Sequence, residues 1–225
     1  PPRSTLFPYT TLFRSRTYCQ SQDIAVETVN PSSLNLDAET ACIVLQYPNY
    51  FGYIEDLQKL VDSAHAQGAL AVVSTDPTAM GMFQTPGHYG VDIVTGDGQP
   101  LGIPSSYGGP YVGLFATKQE YIRQMPSRLS GRTVDKNGKT GYVLTLQTRE
   151  QHIRRERATS NICTNEALYA LAATIYLAAI GKPGLRQVAE LCYHKSHYAA
   201  GEIGKLPGFS MPIDAPFFQE FVVQC

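Results

Sequence analysis

The sequence predicts an α/β fold with a mainly parallel sheet and flanking helices. Three short apolar, β-rich runs, Ala41–Gln46, Ala69–Val73 and Val91–Thr95, each stop at turn-forming residues. An amphipathic helical pattern lies between the first two. Strand, helix, strand in that order implies a right-handed crossover between parallel strands.

Ala41–Gln46 reads as a buried strand that ends at Tyr47-Pro48-Asn49, where proline removes a ladder donor. Ile54, Leu57, Leu60, Val61 and Ala64 then recur at helical spacing. Glu55 and Asp56 fall in the first turn of that helix, at the positive end of its dipole, and Gly68 is its C-terminal stop. Ala69–Val73 is the second strand and leads to a loop at Asp76-Pro77. Val91–Thr95 is the third strand and Tyr111–Thr117 the fourth, and a short surface helix begins in 118–124. Asp135-Lys136-Asn137-Gly138 predicts a hairpin with a type I′ turn. Thr164 caps a long helix running to Ile180, with Glu166 in its first turn; Gly181 and Pro183 end it. Its apolar residues surround most of the axis, so burial on several sides is expected. A further helix covers Leu185–Ile203.

The ends do not fit this pattern. Residues 1–15, PPRSTLFPYTTLFRS, show neither helical nor strand periodicity, and they lack the charged start and apolar run of a signal peptide. Thr5–Ser15 resembles the translation of a common short-read sequencing adapter. Residues 1–15 are therefore expected to be a sequencing artefact, with a disordered tail as the alternative. Phe217–Val223 has strand composition but nothing after it to pair with. Residues 16–183 are expected to form part of a large domain, and 184–225 the truncated start of a smaller C-terminal α+β domain.

Composition narrows the function. Eighteen Lys and Arg against 19 Asp and Glu give a net charge of -1, which supplies no global field for nucleic acid or an anionic membrane. The longest apolar stretch, Leu168–Ile180, is shorter than the ~20 residues a membrane span needs. The five cysteines have no metal-type or disulfide-type spacing, and this predicts reduced thiols and a cytoplasmic location. His65, His88, His194 and His197 lack acidic partners at metal spacing, so no metal site is expected.

Two segments could carry chemistry. The glycine-rich run from Gly96 through Gln99 and Pro100 to Tyr107-Gly108-Gly109-Pro110 could bring backbone N–H groups to an anion, or it could serve tight turns alone. It matches neither common nucleotide-binding glycine pattern. Gln147–Cys163 gathers Arg149, His152, Arg154, Arg155 and Arg157 beside Glu150 and Glu156. Such a segment can clamp a carboxylate or phosphate, tie two subunits together, or be a solvated, self-paired stretch. Thr159, Ser160 and Asn161 beside it add capacity for an internal or interfacial hydrogen-bond network. Asp76 at a strand end could hold a cofactor nitrogen, and turn chemistry explains it equally well.

Gln46–Gly52 with Glu55-Asp56 is similar to the QYPNFFG-x-x-ED signature of the P-protein of the glycine cleavage system. Gly108-Gly109-Pro110 resembles its glycine loop, and Leu146–Thr164, LQTREQHIRRERATSNICT, resembles its longest motif nearly letter for letter. The run GQPLGIPSSYGGPYVGLFAT looks more like the separate alpha subunit of the two-subunit form than the amino-terminal half of the single-chain enzyme. Ser127 and Ser130 depart from the family's MPGRLVG.

The resemblance implies the aminotransferase-like, fold-type I architecture of pyridoxal-phosphate enzymes. It also implies an alpha–beta heterotetramer that decarboxylates glycine and passes the aminomethyl group to lipoyl H-protein. In the family the Schiff-base lysine lies on the beta subunit. Here the matching stretch around Gln99 and Pro100 has none, and no lysine occurs between Gly68 and Thr117. No catalytic residue is therefore expected in this chain, and pyridoxal phosphate is expected on the beta subunit. Tyr107, Gly108, Gly109, Arg149, His152, Arg154, Arg155, Thr159 and Asn161 are expected to form a subunit contact or one wall of the partner's active site. The competing readings are a self-sufficient fold-type I enzyme and a non-catalytic polyanion-binding protein.

Overall fold

The structure, a computed structural model, describes residues 9–125, 128–147, 150–158 and 165–225. It divides into two compact units, Pro1–Ala116 with Leu168–Cys225, and Thr117–Ala167.

The first unit is built on a four-stranded sheet in the order β1-β2-β3-β4: β1 Cys42–Tyr47, β2 Leu70–Thr75, β3 Ile93–Asp97 and β4 Gly113–Thr117. β1 and β2 are parallel with Cys42 opposite Leu70 and Tyr47 opposite Thr75, and β2 and β3 are parallel from Val72 opposite Ile93. The expected crossover is therefore present, and its helix is α2, Leu57–Ala66. Leu57, Leu60, Val61 and Ala64 form one buried stripe against Ile43, Leu45, Ala71 and Val73. Full burial of each valine or leucine contributes roughly 1.5–3 kcal/mol. Tyr47 closes this core beside Tyr89, and burial pushes its phenol up to about 12.

Several expectations need correction. β1 is buried on one face only: Cys42 and Val44 alternate outward, and Val44 is 50% exposed. Asp56 lies just before α2, not in its first turn; its Oδ1 accepts the Lys59 N–H at 3.2 Å, a direct cap in place of a dipole effect. Gly68 does stop the helix with φ of 75°. Tyr9–Gln20, expected as an irregular tail, forms helix α1. Phe217–Val223 forms no strand and makes an isolated antiparallel bridge, Tyr53 to Phe217.

The long helix α4 spans Ala167–Ile203, later than foreseen, so Glu166 precedes its first turn. Thr164 lies outside the described residues, and Asn165 Oδ1 accepts the Ala167 N–H at 3.1 Å. Gly181 leaves helical geometry at φ 62° and ψ -177°, which divides α4 where the sequence put a break. By length and composition α4 as a whole could cross a membrane. Its first arm, 167–180, is too short alone, and the second carries Arg186, Glu190 and Lys195. The first arm is not buried on several sides: Leu168, Leu171 and Ile175 are exposed.

The second unit contains the antiparallel hairpin β5 Leu129–Val134 and β6 Thr140–Thr145, then helix α3, Gln151–Arg154. Its turn is not type I′, because neither Lys136 nor Asn137 has positive φ. Gly138 alone does, and Asp135 Oδ1 accepts the N–H groups of Asn137 and Lys139. The aspartate side chain thus replaces the double left-handed turn. Among the described residues of this unit only Glu150 is buried.

Candidate functional site

The carboxyl ends of β1, β2 and β3 surround a cavity of about 330 Å³, where open parallel sheets commonly place ligands. Gln46, Pro48 and Asn49 supply one side, Ser74 to Pro77 the next, and Asp97, Gln99 and Pro100 the third. Phe218, Gln219 and Glu220 close it from far along the chain.

Asn49 explains the local form of the QYPNYFG run. It is buried, its Oδ1 accepts the Phe51 and Tyr53 N–H groups at 2.9 and 3.0 Å, and its Nδ2 donates to Glu55 Oε1 at 2.6 Å. Gly52 holds φ of 87°, and a Cβ there would collide with the backbone of Glu220. The motif therefore bends the chain so that the segment at Glu220 can lie directly on it. That segment is held elsewhere too: Ser196 Oγ donates to Phe218 O at 2.9 Å, and His197 stacks on Phe217 with centroids 3.9 Å apart.

The chemistry of the cavity is acidic and amide-rich. Asp76, Asp97 and Glu220 line it, and no Lys or Arg does. Asp76 is already engaged: Oδ1 accepts the Thr78 N–H at 2.8 Å and Oδ2 accepts from Gln219 Nε2 at 2.9 Å. Gln99 accepts no catalytic role; its Nε2 donates to Ile103 O at 2.6 Å and its N–H goes to Asp97 Oδ1. Pyridoxal phosphate needs an amine for its aldehyde and donors or cations for its phosphate. The cavity offers three carboxylates, no amine, and an aspartate taken by an internal amide. These residues do not fit that cofactor.

The glycine loop does not close over the cavity as an anion cradle. Ser106, Tyr107, Gly108 and Gly109 all have positive φ, Tyr107 is fully exposed, and a Cβ on Gly108 or Gly109 would meet nothing within 4 Å. Only Gly102 at its base is packed, under Tyr176 of α4. The loop presents an open surface.

In the second unit His152, Arg154 and Arg155 are all exposed, on α3 and the 3-10 turn Arg155–Arg157. Arg155 has φ of 53°, a strained value for a side-chain-bearing residue. Buried Glu150 has Arg128 Nε at 4.0 Å, and Arg157 sits at the same distance from Glu156. Arg149, Thr159 and Asn161 lie outside the described residues.

Sequence reading missed Gln219 and Glu220, which have no local signal. It also missed Asp92, buried, with Oδ2 2.8 Å from both His65 Nε2 and the Ala71 N–H. An aspartate inside the apolar run VDIV was the available clue.

Comparison with known proteins matches these features. The family model for the glycine cleavage system P-protein aligns with residues 4–225. A probable glycine dehydrogenase (decarboxylating) subunit 1 of Thermomicrobium roseum is 54% identical over 220 residues, covering 93% of this chain and 49% of its own. One of the same description from Desulforamulus reducens is 58% identical over 189 residues, covering 84% and 42%. A crystal structure of inhibitor-bound glycine decarboxylase (P-protein) superposes with a TM-score of 0.87 at 41% identity, over 94% of this chain and 50% of that one. The cysteine desulfurase CsdA of Escherichia coli shares the fold at TM-score 0.50 and 18% identity. The chain thus spans about half the length of the relatives it matches and has the expected fold-type I architecture. With its motifs in place on that fold and the family model running nearly end to end, the chain belongs to the glycine cleavage system P-protein family.

Proposed function

We propose that this chain is part of subunit 1, the alpha subunit, of a two-subunit cytoplasmic glycine dehydrogenase (decarboxylating). The assembled enzyme decarboxylates glycine with pyridoxal phosphate and transfers the aminomethyl group to lipoyl H-protein. The cofactor belongs to the companion beta subunit. The observation that carries this reading is the strand-end cavity, which has the family's backbone frame but no lysine and three carboxylates.

This chain's contribution is positional. Its exposed Tyr107-Gly108-Gly109 loop and the Arg-rich segment with His152, Arg154 and Arg155 contact the companion and form part of the wall of its active site. Arg149, Thr159 and Asn161 belong to that contact by their place in the motif. Guanidinium groups there orient carboxylate or phosphate oxygens across the interface.

The test combines the full-length chain with its companion and H-protein and follows release of carbon dioxide from labelled glycine. Activity is expected only with both subunits. Borohydride reduction in the presence of pyridoxal phosphate is expected to mark a lysine of the companion. Full activity of the companion alone, or a pyridoxyl-lysine in this chain, would overturn the reading.

A further inference from the structure

The β5–β6 hairpin sorts its side chains unevenly. Directly opposed residues share a face, so Ser130 with Leu144, Arg132 with Tyr142 and Val134 with Thr140 line one side. Val134, Tyr142 and Leu144 are 62%, 73% and 55% exposed and stand in one row. The opposite face holds Gly131, Gly141, Thr133 and Val143. A two-stranded hairpin with no covered face is marginal in water, so a row of this kind calls for a cover.

Charge points to the kind of cover. Thr117–Ala167 holds ten Lys and Arg against five Asp and Glu, a net of +5; the remaining residues hold eight against 14, a net of -6, which restores the chain's -1. The hairpin thus stands on a locally basic unit in a chain that is otherwise acidic. It is also continuous with the Arg-rich segment. Gln147 Nε2 donates to Leu144 O at 3.2 Å, and Arg128, next to β5, faces Glu150, which begins α3.

We propose that the Val134/Tyr142/Leu144 face, with Arg132 among them, is a docking surface for the companion subunit, which presents an apolar patch rimmed by carboxylates. This rests on the two-subunit reading above and extends its contact from the Arg-rich segment to the hairpin. The apolar row supplies the buried area and the basic rim steers association and register. The aliphatic Val134 and Leu144 suit a protein surface better than the aromatic stacking that single-stranded RNA needs.

The experiment measures binding of the full-length chain to its companion at low and high salt, with circular dichroism as the folding control. Tyr142→Ser combined with Leu144→Ser is expected to weaken binding at least about tenfold, while Val143→Ser on the opposite face leaves it unchanged. Arg132→Glu, which removes no packing, is expected to slow association and reduce its salt dependence. Wild-type affinity in the double variant overturns the inference. If Arg155→Ala weakens binding in that case, the two-subunit reading survives without the hairpin. If the wild-type chain does not bind the companion, both fail. Loss of self-association or of RNA binding, with companion binding intact, assigns the face to another partner and also overturns it.

Discussion

The sheet unit and the hairpin unit of this chain solve opposite problems. Around β1, β2 and α2 the apolar residues cover one another, and the polar residues at the strand ends find partners within the chain: Asn49 with Glu55, Asp76 with Gln219, Asp92 with His65. In Thr117–Ala167 the described residues bury only a glutamate and leave tyrosine, leucine, valine and arginine in solvent. One region is organised to hold a shape. The other holds surface chemistry that the chain itself does not use, as expected of a subunit whose companion carries the reaction.

The contrast can be broken first at the core. Phe218 is 1% exposed and packs edge-on against Phe83 with centroids 5.4 Å apart. Phe218→Ala is expected to cost about 3–5 kcal/mol in denaturant unfolding. A loss under about 1 kcal/mol would mean that the C-terminal segment is an ornament on the sheet unit. Next in size is Asp92→Ala, which leaves the Ala71 N–H without its buried acceptor and is expected to cost about 1–3 kcal/mol by the same measurement. The smallest effect belongs to Tyr142→Ser, expected to stay within about 0.5 kcal/mol because the side chain is exposed. A core-sized loss there would show that the hairpin packs within its own chain, and the two regions would cease to differ.

The sequence revealed what depends on near neighbours. The β-rich runs located β1 to β3, the spacing of Leu57, Leu60, Val61 and Ala64 gave α2 and its buried face, and Gly68 and Gly181 marked real ends. It misjudged what depends on distant chain. The apolar arm 167–180 was expected to be surrounded, but apolar residues record only a preference for burial and not whether a neighbour is present. The type I′ turn was expected from Asn137-Gly138, and Asp135 displaced it with its own side chain. At the candidate site the lack of a lysine was legible, because an absent residue type needs no geometry. The amide of Gln219 on Asp76 was not, since nothing near either residue announces the other.

That last hydrogen bond links residues 143 positions apart. Closing so long a loop costs entropy before any contact repays it, and contacts of this range slow folding. During synthesis the three strands and α2 emerge early, whereas the wall made by Phe218, Gln219 and Glu220 can arrive only after α4 has left the ribosome. A nascent chain therefore carries the strand ends open, with Asp76 unsatisfied by Gln219, for the whole interval in which α4 and its exposed leucines are being made. For a chaperone, this half-built cavity and the arm beside it are the features present longest.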